Sequence, residues 1–187
     1  MGKYDKKITE TCVRLGEVRF CYEHVFAPRV SDNGGAAKYS VCILIPKSDS
    51  RTLELVKEAI TAAREKDKAT KWGGKIPARL GDPLRDGDEE DKGPEYEGMY
   101  FINASSPSKP GVRILEGGKI LEALDTEDFY SGCWGAATVN FFPYDHNGNK
   151  GVGAALNNVI KTRDDEKLAG GASAEKDFAD LADGELD

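Results

Sequence analysis

The stretch from Phe129 to Arg163 constrains the fold more than any other part of the chain. It reads FYSGCWGAATVNFFPYD, then HNGN, then KGVGAALNNVIKTR. Asn147-Gly148 is a strong hairpin signal, because a type I′ turn needs positive φ at both central residues. The arm before it alternates like a strand with two unlike faces. Cys133, Ala137, Val139 and Phe141 form an apolar core set, and Trp134, Thr138, Asn140, Phe142 and Tyr144 form the other. The second set interleaves three aromatics with hydrogen-bonding groups. It suits the stacking of flat rings, of which nucleobases are the commonest, or else burial under a helix or loop.

The rest of the chain supplies a β-rich body with one helix. Thr11 to Phe26 is rich in β-branched and aromatic residues and predicts a long strand, bent or bulged at Gly16. Lys38 to Ile45 predicts a second strand with Tyr39, Val41, Ile43 and Ile45 facing the core. Ser48-Asp49-Ser50 offers N-caps for a helix to about Lys68, with Leu53, Val56, Ile60 and Ala63 as its apolar stripe. A long segment without lasting period follows, of the kind that is functional or mobile in a small domain. Met99 to Ala104 and Val112 to Leu115 return to strand, and Gly117-Gly118 turns.

Charge is segregated along the chain. Asp164 to Asp187 carries nine acids against two bases, net −7, which is also the charge of the whole chain. Residues 1–163 are therefore neutral, and within them Asp82 to Glu97 holds eight acids and two bases. The remaining body is mildly basic, so an acidic loop and an acidic tail flank a cationic surface. The expected organisation is a binding domain over 1–163 and a flexible tail over 164–187.

Several function classes drop out. No apolar run approaches the roughly 20 residues of a membrane span. The polar opening MGKYDKKITE has no signal-peptide character, so a cytoplasmic protein is expected. Cys12, Cys21, Cys42 and Cys133 are scattered without a C-x-x-C pair and read as reduced thiols. Two histidines, His24 and His146, assemble no nucleophile triad, and no Walker A or dinucleotide fingerprint is present. Asp145-x-Asn147-x-Asn149 lacks the Gly and Glu of a calcium loop, with Lys150 and Leu156 in their places. The Asp82 to Glu97 acids leave a metal-dependent nucleic-acid enzyme as the rival reading. A non-enzymatic structural or protein-interaction module is a third.

Leu84-Arg85-Asp86-Gly87-Asp88, Tyr130-Ser131-Gly132-Cys133, Asn140-Phe141-Phe142-Pro143-Tyr144, Asn149-Lys150-Gly151-Val152 and Leu156 to Lys161 occur in fixed order. In these motifs, over about Gly16 to Phe178, the chain resembles tailed-phage single-stranded DNA-binding proteins. The resemblance implies a mainly β, OB-fold-like, partly open barrel with an acidic disordered C-terminal tail. It implies coating of phage DNA during replication and recombination in the host cytoplasm, and a tail that competes with DNA and contacts phage or host replication proteins. One departure stands out. OB-folds carry their helix after three strands, and only two are countable before Ser48 unless Gly16 splits the first.

The expected function is sequence-independent binding of single-stranded DNA, without catalysis, cofactor or metal. Trp134, Phe142, Tyr144 and, less directly, Trp72 are the candidate stacking residues. Lys38, Lys47, Lys71, Lys75, Lys109, Arg113, Lys150 and Lys161 are the candidate phosphate contacts. Asp177, Phe178, Asp180 and Leu181 are the candidate docking residues of the tail.

Overall fold

The structure is a computed structural model that describes residues 4–30, 35–66, 72–73, 81–146, 149–168 and 181. Its strands are β1 (Lys6–Lys7), β2 (Cys12–Arg29), β3 (Lys38–Pro46), β4 (Arg85–Asp86), β5 (Met99–Ser106), β6 (Gly111–Glu116), β7 (Lys119–Glu122), β8 (Trp134–His146) and β9 (Asn149–Arg163). The main helix α1 spans Ser50–Lys66, and a short α2 spans Gly87–Glu90.

Five strands close into a barrel in the order β2-β3-β5-β9-β8, with β8 returning to β2. Four of these junctions are antiparallel. The fifth is a parallel contact of β5 with β9 through Ser105 and Ala155. Closure by so narrow a contact, with one long helix, gives the mainly β OB-type barrel that the motifs imply. The helix does follow only two barrel strands, so that departure is real. A β6–β7 hairpin continues the sheet beyond β9, with β6 parallel to it. Among the described residues no helix is long and apolar enough to cross a membrane.

Gly16 allows β2 to serve two neighbours. From Cys12 to Arg19 the strand pairs with β8, and from Arg19 onward it pairs with β3. The register against β8 shifts between Gly16 and Val18, where the bend was expected. A Cβ on Gly16 would stand 2.9 Å from the Tyr4 Cβ and 3.1 Å from the Ala136 Cβ, so the crossing needs a bare backbone.

The barrel interior is filled by Val13, Leu15, Phe20, Ile43, Val139 and Phe141, each at most 1% exposed. Helix α1 closes it with the expected stripe of Leu53, Val56, Ile60 and Ala63. Its cap is Asp49, whose carboxylate accepts from the Thr52 amide at 3.1 Å.

Strand β3 is buried on both faces, which one-sided alternation did not anticipate. Val41, Ile43 and Ile45 face the main core, while Cys42 and Leu44 face a second small core with Cys21, Tyr96 and Phe101. That second core is covered by the segment around Pro94–Tyr96. The acidic stretch read as a period-free loop thus contains β4, α2 and a 3₁₀ turn that pack on the sheet.

Candidate nucleic-acid interface

Strand β8 alternates as its sequence required. Ala137, Val139 and Phe141 are buried, while Thr138, Asn140 and Tyr144 are half-buried and Phe142 is 41% exposed. The hairpin partner explains how an exposed phenyl ring is held. Phe142 lies opposite Gly153, and Tyr144 opposite Gly151. A Cβ on Gly153 would meet the Phe142 Cζ at 2.6 Å, and one on Gly151 would meet the Tyr144 Oη at 2.5 Å. Both rings therefore lie down across β9 on bare backbone, as aromatics do over sheet glycines. Tyr144 is also covered in part by Gly81, whose added Cβ would stand 2.7 Å from its hydroxyl. Phe142 keeps the freer ring.

These rings border a groove of about 470 Å³ whose lining includes Lys38, Asn103, Ser105, Phe142, Tyr144 and Gly153. An apolar ring beside an amide, a hydroxyl and an ammonium can stack a flat heterocycle, hydrogen-bond its edge and neutralise an anion. Asn103, Ser105 and the two glycines were missed from sequence alone. The G-V-G spacing opposite F-P-Y was the signal that marks the glycines.

Trp134 stands apart from this groove. It is eight residues from Phe142, about 26 Å along a strand, and the β8–β9 register shifts twice between them. The aromatic trio is therefore two stations, not one platform. At the second, the Arg163 and Arg19 guanidinium carbons lie 4.6 and 5.8 Å from the Trp134 ring centroid. The indole N–H donates to Asp165 at 2.9 Å.

Residues 164–168 are laid onto this end of the barrel. Lys161 donates to Asp164 at 2.7 Å, and Arg19 donates to the Glu166 carbonyl at 3.0 Å. The Leu168 amide donates to the Ser131 carbonyl, also at 3.0 Å. Lys161 and the Tyr130 hydroxyl hold the Asp164 carboxyl below its usual range. The Trp134 indole N–H, first, does the same for Asp165. Burial, and then Asp164, push the Tyr130 phenol up to about 12.

The remaining expected residues divide sharply. Trp72 corrects the sequence reading: it is 5% exposed, packs in the main core and donates its indole N–H to the Tyr144 carbonyl at 3.1 Å. A ring so enclosed cannot receive a base. Lys47 is likewise committed, to Asp86 at 2.7 Å and Asp88 at 2.8 Å, which raise its pKa. Lys38 lines the groove and Lys150 lies on β9 near it, while exposed Arg113 pairs with Ile160 further along β9 and exposed Lys109 immediately precedes Pro110, just before β6. Lys71, Lys75, Asn147-Gly148, Asp177, Phe178 and Asp180 lie outside the described residues. Leu181 is exposed.

Several of the Asp82 to Glu97 acids have structural partners. Asp86 caps α2 by accepting from the Asp88 and Glu89 amides, Asp88 accepts from the Gly98 amide, and Glu90 pairs with Arg85. Among the described residues no group of three or more His, Cys, Asp or Glu is arranged to hold a metal ion.

A closed five-stranded barrel with an aromatic, amide and cation-lined groove on its outer surface defines an OB-fold binding protein of the kind that grips linear polymers. The chain belongs to the family of the Enterobacter phage Enc34 ssDNA-binding protein, whose family profile matches residues 11–187. It is 36% identical to protein p50 of Acyrthosiphon pisum secondary endosymbiont phage 1, over 91% of this chain and 94% of that one. Among solved structures it is similar to the single-stranded DNA-binding protein of bacteriophage Enc34 in complex with ssDNA. That match has a TM-score of 0.73 at 27% identity, covering 88% of this chain and 97% of the other. The single-stranded DNA-binding protein gp2.5 of bacteriophage T7 shares the fold, with a TM-score of 0.53 at 18% identity and coverage of 84% and 93%.

Proposed function

We propose that this protein binds single-stranded DNA without sequence preference and acts by coating it during phage DNA replication and recombination in the host cytoplasm. The observation that carries the reading is the Phe142 groove, an exposed ring held flat over Gly153 beside Lys38, Asn103 and Ser105. The similar Enc34 protein, whose structure is solved in complex with ssDNA, supports it. Bases stack on Phe142 and, with less ring available, on Tyr144. Lys38, Lys150, Lys109 and Arg113 contact phosphates along the path of β9. Trp134 with Arg19 and Arg163 forms a second station, reached when Asp165 moves away. Binding, not catalysis, is the activity, and no cofactor or metal enters it. The acidic tail beyond Arg163 competes with DNA for the cationic surface, and Asp177, Phe178, Asp180 and Leu181 dock phage or host replication proteins.

The test is fluorescence anisotropy with labelled oligothymidine and with duplex of the same length, at two salt concentrations. Single strands bind, and binding weakens as salt rises, by about 0.7 in log affinity per unit log salt for each phosphate contact. Equal affinity for duplex, or none for either, refutes the reading.

A further inference from the structure

The backbone of β2 departs from regular strand at Tyr22, where φ is 51. A bulky aromatic with positive φ is an outlier that needs a reason. The register against β3 shifts just there, between Cys21 and His24. The residues before it, Phe20 and Cys21, are fully buried, whereas Tyr22 is 44% exposed. The strain therefore turns a ring out of the sheet instead of into it.

The ring stands at a cavity of about 280 Å³ whose lining includes His24, Arg29, Ser40, Lys92 and Asn103. Asn103 also lines the Phe142 groove, so the two spaces share it as a wall. The sheet register runs straight across the junction, with Cys42 opposite Asn103 and Ser40 opposite Ser105. One trough thus crosses the barrel from Gly153 on β9, where the Phe142 ring rests, over β5 and β3 to Tyr22 on β2. Three strand spacings make this about 14 Å. Stacked bases rise about 3.4 Å each, so the trough is longer than one nucleotide.

We infer that Tyr22 is a further base-stacking station for single-stranded DNA, with Arg29 and Lys92 taking the backbone and Asn103 and Ser40 offering hydrogen bonds to base edges. The assignment rests on the DNA-binding reading of the Phe142 groove and extends it. Tyr22 donates its hydroxyl to Glu95 at 2.6 Å, which fixes the ring in one orientation before any ligand arrives. The same bond, with the Glu95 charge, pushes the phenol up to about 12, so it stays a neutral donor at physiological pH. Charge is spaced to match. Glu95 sits at the hydroxyl end of the ring, and the cations lie with His24 and Ser40 in the cavity wall.

The experiment compares wild type, Phe142→Ala, Tyr22→Ala, Tyr22→Phe and Tyr22→Gly in the full chain. It uses oligothymidine anisotropy and photocrosslinking of oligonucleotides carrying 5-iodouracil. Tyr22→Ala is expected to weaken binding about tenfold, Tyr22→Phe, which keeps the ring and loses only the Glu95 tether, to weaken it less than Tyr22→Ala does, and crosslinks to map to Tyr22. Tyr22→Gly accepts positive φ without strain, so it keeps the backbone where Tyr22→Ala does not fold, and it shows the same loss. Wild-type affinity in folded Tyr22→Ala or Tyr22→Gly, with Phe142→Ala weakened, overturns the station alone. Failure of the wild-type protein to bind any single strand overturns the underlying reading, and the station with it.

Discussion

Gly153→Ala tests whether Phe142 works because it lies flat on bare backbone. The added Cβ would meet Cζ of the ring at 2.6 Å and its two Cε atoms at 3.0 and 3.1 Å. Carbon atoms settle at about 3.5–4.0 Å, so the ring must lift or swing by about 1 Å. Nothing else need change. Gly153 lies in the middle of β9, and alanine is tolerated there better than glycine by about 0.5–1 kcal/mol on backbone grounds. Stability should therefore hold or rise slightly, while the platform is displaced. Removing the ring altogether, in Phe142→Ala, costs the stacking of one base, about 1–3 kcal/mol or roughly 5- to 150-fold in affinity. Displacing it costs the lower part of that range, about five- to tenfold. Anisotropy with oligothymidine on both single variants and the double variant closes the cycle. In the Phe142→Ala background, Gly153→Ala should change affinity by less than about 0.5 kcal/mol. Equal losses from Gly153→Ala with and without the ring would refute the reasoning. So would an unaltered affinity of Gly153→Ala.

Three further outcomes follow from the same geometry. Trp72→Ala should cost about 3–5 kcal/mol of stability by emptying a core site, read by denaturant unfolding, with affinity unaltered where the variant is folded. Lys38→Ala should lower the salt slope of binding by about 0.7, whereas Lys47→Ala should leave it alone, because Asp86 and Asp88 already neutralise that ammonium. Asp164 and Asp165 have depressed pKa values in the fold, so their contacts persist above the ordinary carboxyl range near about 3.9 and are lost as pH falls through the lower folded values. In a Trp72→Phe background, Trp134 emission should report that release below the ordinary range and stay constant above it.

Much of this was legible from residue order. The Asn147-Gly148 hairpin set β8 against β9, and their register from His146 opposite Asn149 leaves two residues between them. The Asp49 cap, the α1 stripe and the Gly16 bend were readable because each is local, fixed by spacing or by one residue type. The site was readable only in part, because face periodicity says which residues point outward and not what lies across from them. Phe142 and Trp134 have the same parity on one strand, yet one rests on Gly153 and the other is clasped by Arg19, Arg163 and Asp165. Trp72 and Lys47 share one lesson: residue type and position in sequence say nothing about a side chain's partner in space. The Tyr144 carbonyl and the Asp86 and Asp88 carboxylates, each some 40 to 70 residues away, decided them.

The boundary between body and tail matters most for regulation. Sequence composition changes at Asp164, but residues 164–168 bond to Lys161, Arg19, Tyr130, Ser131 and Trp134. Two truncations then do different things. Removing 169–187 takes away six acids and one base, net −5, and keeps the clasp on Trp134. Removing 164–187 takes away net −7 and frees the Trp134, Arg19 and Arg163 station as well. A tethered anionic segment competes for a cationic surface at an effective concentration of about millimolar, and salt screens that competition. The shorter truncation should therefore tighten single-strand binding severalfold at low salt, with the gain fading as salt rises. The longer truncation should add a second gain that survives salt, because exposing an indole ring beside two guanidinium groups creates a stacking site and not merely a weaker repulsion. Anisotropy of both truncations across a salt series separates the two terms. Identical affinities of the two truncations at every salt concentration would show that the clasp on Trp134 holds nothing back from DNA.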